Sequence, residues 1–113
     1  MDHKTTYLRN STSIFGLQQV QLDGVLKILT SNEKVEELLL FGSRAKGNFK
    51  ETSDVDIAVK GEKLTLNDLL DMSHSLDSLW LPFKIDLVNY SRIKEKDLIQ
   101  HIERVGKTLY KRN

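Results

Sequence analysis

A glycine–serine pair followed by two closely spaced aspartates is the part of this sequence whose residue types best suit chemistry. Gly42 and Ser43 are separated by ten residues from Asp54, and Asp56 follows two positions later. Residues two apart on a β-strand point to the same face, and carboxylates about 4 Å apart repel by roughly 4 kcal/mol at an effective dielectric near 20. A divalent cation would offset that repulsion, and a glycine–serine turn can hold phosphate oxygens. The spacing therefore predicts that the aspartates bind metal beside a nucleoside triphosphate.

A third carboxylate occurs in a separate apolar segment. Asp86 interrupts Phe83–Val88, and burying a lone carboxylate is costly unless it is paired or bound to a metal. We therefore expect Asp86 to bind metal together with the aspartate pair, and to orient or deprotonate an incoming hydroxyl. In the alternative interpretation, Asp86 is a strand-end carboxylate paired with Lys84 or Lys60.

The residues around the glycine–serine pair are candidates for phosphate contact. Gly42 suits a sharp turn that lets the backbone approach a phosphate. Ser43 would start a short helix, where N–H groups favour anions. Arg44 and Lys46 would add positive charge around a leaving pyrophosphate, whereas Lys50 fits a solvent-exposed loop cation at least as well. The segment is not a P-loop, because it lacks the Gly-x-x-x-x-Gly-Lys-Ser/Thr pattern.

Short apolar segments that carry or flank these residues predict β-strands. The first ends at the glycine–serine pair, the second begins within the aspartate pair, and the third holds the third carboxylate. A further edge strand is expected near the end of the chain. The predicted strands are Val35–Phe41, Val55–Val59, Phe83–Val88 and Thr108–Tyr110.

Helices are predicted before, between and after these strands. The first runs from about Leu17 to Ser31, and the last covers Glu95–Val105 and is capped by Gly106. A stripe of apolar residues at helical spacing supports the first helix: Leu22, Val25, Leu26 and Leu29. Alternating helices and strands indicate an α/β fold, with a sheet covered by helices.

The helix between the second and third strands opens with a capping box over Thr65–Asp68 and is expected to stop at Pro82. Its predicted apolar face consists of Leu66, Leu69, Leu70, Leu76, Leu79 and Trp80. Trp80, Leu81 and Phe83 are expected to pack in the core. An exposed patch used for partner docking is the alternative.

Composition restricts the classes of protein to which the chain can belong. It has 113 residues, 39% of them apolar and 29% charged, as in an ordinary globular domain. Residues 1–15 are expected to form a flexible arm and residues 16–113 a single domain. The absence of cysteine excludes disulfides, thiolate nucleophiles and cysteine-bound zinc.

The cellular setting is predicted from charge and hydropathy. A net charge of +1 argues against direct nucleic-acid binding. No apolar run reaches the roughly 18 residues that a membrane span needs, and the N-terminal residues lack the pattern of a secretory signal. A cytoplasmic protein without membrane contact is therefore expected.

The histidines are assigned no part in the candidate site. They share no ligand spacing, and two of them fall within predicted helices, so plain surface or half-buried roles are expected. These residues are His3, His74 and His101.

Four segments resemble the minimal nucleotidyltransferases of prokaryotes, the MNT family of the DNA polymerase β-type nucleotidyltransferase superfamily. The superfamily motif is Gly-Ser, a variable stretch and Asp-x-Asp. The matching segments are Leu40–Gly47 (LFGSRAKG), Ser53–Val59 (SDVDIAV), Ile85–Val88 (IDLV) and Val105–Tyr110 (VGKTLY). The resemblance as a whole covers about residues 17–110 and leaves the N-terminal arm unmatched. One departure is Lys46 where arginine is usual, which keeps the charge but loses the bidentate geometry.

This resemblance implies a nucleotidyltransferase fold, a small mixed sheet of roughly three to four strands flanked by helices. It also implies a pair of Mg²⁺ ions, ATP as the nucleotide donor, and a HEPN-type toxin as partner in a hetero-oligomer. In such toxin–antitoxin pairs the MNT protein can act as antitoxin by transferring AMP to a tyrosine of the toxin. The short chain leaves little room for an acceptor-binding domain, which favours an acceptor on another protein.

Two other functions stay open. The chain could be a non-catalytic antitoxin that neutralises its partner by binding it. It could also be a small-molecule nucleotidyltransferase of the aminoglycoside-modifying type, in which a dimer completes the substrate pocket.

Overall fold

A four-stranded mixed sheet lies at the centre of the computed structural model, which describes residues 14–113. The strands are β1 (Glu37–Phe41), β2 (Val55–Lys60), β3 (Ile85–Asn89) and β4 (Lys107–Lys111). The helices are α1 (Gln19–Thr30), α2 (Gly42–Lys46), α3 (Leu66–Leu76) and α4 (Lys96–Val105), and 3₁₀ turns cover Asp77–Leu79 and Tyr90–Arg92. The predicted α/β class, the order of the elements and the late edge strand are confirmed.

The strand order β3-β2-β1-β4 brings together the strand ends that carry the candidate residues. β1 is antiparallel to both β2 and β4, whereas β2 and β3 are parallel. A parallel pair needs a crossover connection, and α3 lies in the segment that joins β2 to β3. The C-terminal end of β1 therefore lies beside the N-terminal ends of β2 and β3, and β3 is an outer strand of the sheet.

β1 and β3 each begin two residues later than predicted, at Glu37 and Ile85. Val35 and Phe83, predicted as their first residues, precede the paired register but are buried in the core. The apolar pattern reports burial, and a residue can pack beneath a sheet without joining its hydrogen-bond ladder.

Alternating side chains give the sheet two apolar faces. α1 and α3 cover the larger core, whose central strand residues are Leu38, Leu40, Ile57 and Val59. α4 covers the smaller core, whose buried members are Leu39, Phe41, Ala58 and Ile102. Asp56 lies two residues before Ala58 in β2, so its side chain lies on the face that α4 covers.

α3 ends earlier than the sequence predicts. Its capping box is present: Asp68 N–H donates to Thr65 Oγ1 at 3.1 Å, and Thr65 N–H donates to Asp68 Oδ2 at 2.8 Å. Pro82 does not stop the helix. The helix ends at Leu76, tightens into a 3₁₀ turn and reverses at Trp80, whose backbone is left-handed (φ 51°).

The early reversal turns Trp80 out of the core, so the core packing predicted for this residue is wrong. Its side chain is 89% exposed, whereas Phe83 is buried. A stripe counted through residue 80 assumes an uninterrupted period of 3.6 residues, and that period ends with the helix. The buried face of α3 consists of Leu69, Met72 and Leu76, while Leu66 and Leu70 are exposed.

The first described residues pack against the domain. Ile14 and Leu17 exchange two backbone hydrogen bonds, of 2.7 and 2.9 Å, and Leu17 is buried. The flexible arm predicted for residues 1–15 falls mainly on residues 1–13. These residues, which include His3, lie outside the described residues. None of the helices in residues 14–113 has the length and apolar character that a membrane crossing requires.

Candidate functional site

Gly42 lies directly against the carboxylate of Asp56. β1 and β2 pair so that Phe41 is opposite Asp56, and Gly42 follows as the first residue of α2. Its backbone is left-handed (φ 77°), and a Cβ atom built on it would lie 2.3 Å from Asp56 Oδ2. Glycine is therefore required twice, once by the turn and once by the neighbouring carboxylate.

Asp56 and Asp86 are direct neighbours across β2 and β3. They are register partners in this parallel pair, so their side chains lie on the same face of the sheet. Asp54, which is exposed, precedes β2 by one residue. Burial raises the pKa of Asp56 above its ordinary value, and repulsion from Asp86 and then Asp54 raises it further. The three carboxylates thus form one electrostatic group at this end of the sheet.

An ion pair joins Asp86 to Lys84, with 3.3 Å between Oδ1 and Nζ. This is one of the pairings considered in the alternative interpretation of Asp86; Lys60 lies instead near Glu37, at 3.8 Å. The Lys84 side chain is 73% exposed, so water screens the pair and its contribution to stability is small. Such a pair can give way to a cation of higher charge.

The acidic group has the chemistry of a divalent-cation site, but it is open. Ionised carboxylates are pure acceptors and are the oxygen ligands that Mg²⁺ prefers. In the part of the chain that the structure describes, no three acidic or histidine side chains already converge as a metal cage. A bound cation would have to draw the carboxylates together, and it would relieve the repulsion that raises the pKa of Asp56.

The guanidinium of Arg44 is buried beneath the loop that joins α2 to β2. The residue is 1% exposed, and the guanidinium lies 5.1 Å from the ring centroid of Phe49 and 4.7 Å from that of Phe83. Burial lowers its pKa. Its hydrogen bonds, between 2.8 and 3.4 Å, go to the carbonyl oxygens of Phe15, Lys50, Glu51 and Ser53.

This geometry contradicts the phosphate contact predicted for Arg44. A phosphate could reach the guanidinium only if the loop opened, because the loop's own carbonyl groups occupy it. Since the loop ends next to Asp54, Arg44 instead fixes the segment that delivers this carboxylate to the site. The sequence predicts the charge of Arg44 but not the direction in which its side chain points, because the fold of the loop determines the carbonyl groups that it meets.

Ser43, Lys46 and Lys50 remain accessible around α2. Ser43 is half-buried, and its carbonyl oxygen accepts the N–H groups of Gly47 and Asn48 at 2.9 and 3.2 Å. Lys46, the last residue of α2, and Lys50 are both exposed. Of the cations predicted near phosphate, these two lysines can reach an anion from solvent.

His101 is a site residue that the sequence interpretation missed. Its Nε2 accepts a hydrogen bond from Gly42 N–H at 3.1 Å, and its ring meets Phe41 edge to face, with 6.0 Å between centroids. A sequence pattern could have placed it: His101 lies three residues after Leu98 and one before Ile102, within the apolar stripe of α4.

Residues 24–113 match the Polymerase beta, Nucleotidyltransferase family. The match covers most of the chain, including the Gly-Ser turn and all three carboxylates. The chain belongs to this nucleotidyltransferase family. The predicted enzyme class and fold are therefore confirmed.

Individual relatives support the resemblance to minimal nucleotidyltransferases. The protein adenylyltransferase MntA of Thermococcus cleftensis is 34% identical over 86 residues, a match covering 69% of this chain and 86% of the relative. A chain of a toxin–antitoxin crystal structure with AMP-PNP is 28% identical, with a TM-score of 0.68. The match covers 81% of this chain and 74% of the chain in that structure. A chain of a structure of the tri-AMPylated HEPN toxin of Shewanella oneidensis in complex with MNT antitoxin is 26% identical, with a TM-score of 0.63. The match covers 83% of this chain and 72% of that chain.

Proposed function

We propose that this nucleotidyltransferase is an antitoxin that transfers AMP from ATP to a side chain, most simply a tyrosine, of a HEPN-type toxin. The observation that carries the proposal is the pairing of Asp56 with Asp86 across parallel strands, with Gly42 packed against the same carboxylate. Relatives named as protein adenylyltransferase and as antitoxin in complex with a HEPN toxin support the acceptor class.

In this proposal Asp54, Asp56 and Asp86 hold Mg²⁺. When bound, Mg²⁺ supplies positive charge to the phosphate oxygens and to the attacking and leaving oxygens. Ser43 receives the triphosphate through its hydroxyl at the turn after β1, and Lys46 approaches from the exposed end of α2. The acidic group is suited to hold a cation because its members repel one another without one.

The transfer step exchanges a phosphoanhydride bond of ATP for a phosphoester bond to the acceptor. The acceptor hydroxyl oxygen forms a bond to the α-phosphorus of ATP while the bond from that phosphorus to the bridging oxygen of pyrophosphate breaks. Pyrophosphate leaves with the electron pair, and the hydroxyl proton passes to the Asp86 carboxylate and from there to water. The products are the AMP-modified side chain and pyrophosphate.

The test is transfer of labelled AMP from α-labelled ATP to the co-expressed HEPN-type partner, followed by the intact mass of the partner. Wild type should label the partner only with Mg²⁺, and Asp56→Asn should reduce labelling by at least about 100-fold. Equal labelling by wild type and Asp56→Asn would refute the mechanism. Turnover of a small molecule by the purified chain, without labelling of the partner, would support the aminoglycoside-modifying type instead.

Asp56→Asn should not lose stability in the absence of metal. A raised pKa means that the folded state disfavours the ionised form, so the penalty is absent below the ordinary pKa and grows as pH rises through the raised value. Asparagine removes this penalty at neutral pH. We expect its free energy of unfolding to equal or exceed that of wild type by up to about 1 kcal/mol, because a half-exposed site is screened. Urea unfolding at pH 7 measures the difference.

The same variant distinguishes a catalytic antitoxin from one that neutralises its toxin by binding alone. A non-catalytic antitoxin would need only to bind its toxin, so Asp56→Asn would protect cells as well as wild type does. The catalytic proposal predicts that this variant binds the toxin but no longer protects. Growth of cells that express the toxin with each variant, together with co-purification of the pair, distinguishes the two functions.

A further inference from the structure

A cavity of about 580 Å³ opens beside Asp86, at the edge of the sheet farthest from β4. Its volume is in the range of small-ligand sites. The C-terminal end of α3, the 3₁₀ turn after it and β3 form its walls. The lining residues relevant here are His74, Trp80, Leu81, Lys84, Asp86 and Leu87.

Along the strand order of the sheet, the Gly-Ser turn and the cavity lie on opposite sides of the acidic group. Gly42 follows β1, Asp56 lies in β2 and Asp86 in β3, and the strand order is β1, β2, β3 and then open edge. α3 packs on the other face of the sheet from the carboxylates, so the cavity reaches Asp86 around the edge of β3, where the described residues place no further strand. Across this end of the sheet, the Gly-Ser turn therefore comes first, the carboxylates next and the cavity last.

An in-line displacement requires this kind of arrangement. The attacking and leaving oxygens lie on opposite sides of the phosphorus. With pyrophosphate held at the Gly-Ser turn, the hydroxyl must arrive from the side of β3. Asp86, which borders the cavity, is then the carboxylate that the incoming hydroxyl meets.

Trp80 gives this entrance an anchor for a protein chain. Its indole is 89% exposed and is held by a left-handed backbone (φ 51°) that turns it away from the core. Exposed tryptophan is among the residues that contribute most to protein–protein binding when a partner covers them. Polar groups lie around it, so the site combines one apolar anchor with hydrogen-bonding positions, as peptide-binding sites do.

We infer that this cavity is the acceptor site, which receives the segment of the partner protein that carries the modified hydroxyl and covers Trp80. The inference rests on the proposed function and adds to it the route by which the acceptor reaches Asp86. Trp80 is thus a determinant of acceptor affinity, and the nucleotide occupies the opposite side of the carboxylates.

Kinetics test the inference through a split between the two substrates. Trp80→Gly removes the indole and suits the left-handed backbone, so it should fold as wild type does. We expect the KM for the HEPN-type partner to rise roughly 10-fold or more, with binding of Mg²⁺–AMP-PNP unchanged. Leu66→Ala is the matched control: it truncates an exposed apolar side chain (the residue is 73% exposed) at the start of α3, outside the cavity lining, and should leave both unchanged.

A spectroscopic test does not depend on catalysis. Trp80 is the single tryptophan of the chain, so 5-fluorotryptophan labelling gives one ¹⁹F resonance that reports on the cavity. The unlabelled partner should shift or broaden this resonance, and Mg²⁺–AMP-PNP alone should leave it in place.

The outcomes separate the acceptor site from the proposed function. If wild type labels the partner but Trp80→Gly has an unchanged KM, or the ¹⁹F resonance is unchanged in the complex, the acceptor site is wrong and the proposed function stands. If AMP-PNP moves the resonance and Trp80→Gly weakens AMP-PNP binding instead, the cavity is a nucleotide site and the inference is overturned. If no AMP is transferred, the proposed function fails, and the resonance still shows whether the partner covers Trp80.

Discussion

At the scale of single residues, the site depends on backbone groups that neighbouring side chains hold in place. Gly42 occupies a left-handed position against Asp56 Oδ2, and its N–H donates to His101 Nε2. This N–H is therefore already engaged by a side chain of the protein. The groups of the turn that remain for phosphate are the hydroxyl of Ser43 and the backbone amides from Ser43 onward.

Comparing two glycines separates the backbone requirement from the contact with Asp56. Gly47→Ala should cost about 1–2 kcal/mol of stability, because its backbone is left-handed (φ 91°) and a Cβ would meet no atom of residues 14–113 within 4 Å. Gly42→Ala should cost more, because it adds a collision with the Asp56 carboxylate, and it should abolish AMP transfer. Urea unfolding and the labelling assay measure both effects. Equal losses of stability and activity in the two variants would show that the contact with Asp56 has no consequence.

His101 is expected to act as a positioning residue for the Gly-Ser turn. His101→Leu still fills the position with a side chain but leaves Gly42 N–H without its acceptor, so kcat/KM for ATP should fall roughly 10-fold. His101→Gln places an amide oxygen where Nε2 lies and should restore most of the loss. Gln100, an exposed residue of the same helix, provides the control, since Gln100→Leu should retain the wild-type kcat/KM for ATP. If the leucine and glutamine variants were equally impaired, His101 would contribute packing alone.

At the scale of secondary-structure elements, short connections are held by single polar side chains. Arg44 ties the α2–β2 loop through three of its carbonyl oxygens, those of Lys50, Glu51 and Ser53. Asp68 does the same for the start of α3, where it accepts hydrogen bonds from Thr65, Lys34 and Asn32. The first connection leads directly into Asp54 and Asp56 and so determines where these carboxylates lie, whereas the second follows the other end of β2.

The capping carboxylate of α3 should make stability depend on pH in acid. The hydrogen bond from Thr65 N–H, followed by that from Lys34, lowers the pKa of Asp68 from 3.8 to about 2. Its stabilisation is therefore present above the ordinary value and is lost as pH falls towards 2. Asp68→Asn should be less stable than wild type at pH 7 and should lose less on acidification. Asp71→Asn, at an exposed position of the same helix, is the control in urea unfolding at pH 7, 4 and 2.5.

At the scale of the whole molecule, the two faces of the sheet serve different parts of the site. The larger core joins α1 and α3 to the sheet, while the smaller core joins α4, which brings His101 to the turn after β1. The smaller core has fewer buried residues but lies closer to the chemistry. Disturbing either core should lower stability, whereas disturbing the smaller one should also displace a site residue.

A pair of core substitutions tests this division. Ile102→Ala on α4 and Leu29→Ala on α1 truncate side chains that are 1% and 0% exposed, and each should cost about 2–5 kcal/mol. Activity per folded molecule, measured well below the unfolding temperature, should fall in Ile102→Ala and stay near wild type in Leu29→Ala. Equal activity in both would mean that the position of α4 does not affect the turn.

The sequence by itself determined the chemistry and the succession of elements. The Gly-Ser and Asp-x-Asp spacing, the lone Asp86 in an apolar segment and the capping box at Thr65 are local patterns, since each is imposed by backbone geometry or side-chain chemistry within a few residues. Such patterns can be interpreted before the fold is known. They led to the family, the strands and the carboxylates.

The tertiary structure decided the direction and partners of the remaining side chains. Arg44 turned inward to carbonyl groups, Trp80 turned outward after an early reversal, and His101 met Gly42 across a sequence separation of 59 residues. None of these follows from local periodicity, because each depends on which elements the sheet brings together. Charge and hydropathy determine which kinds of contact a side chain can make. Only the packing of distant segments determines which group it contacts.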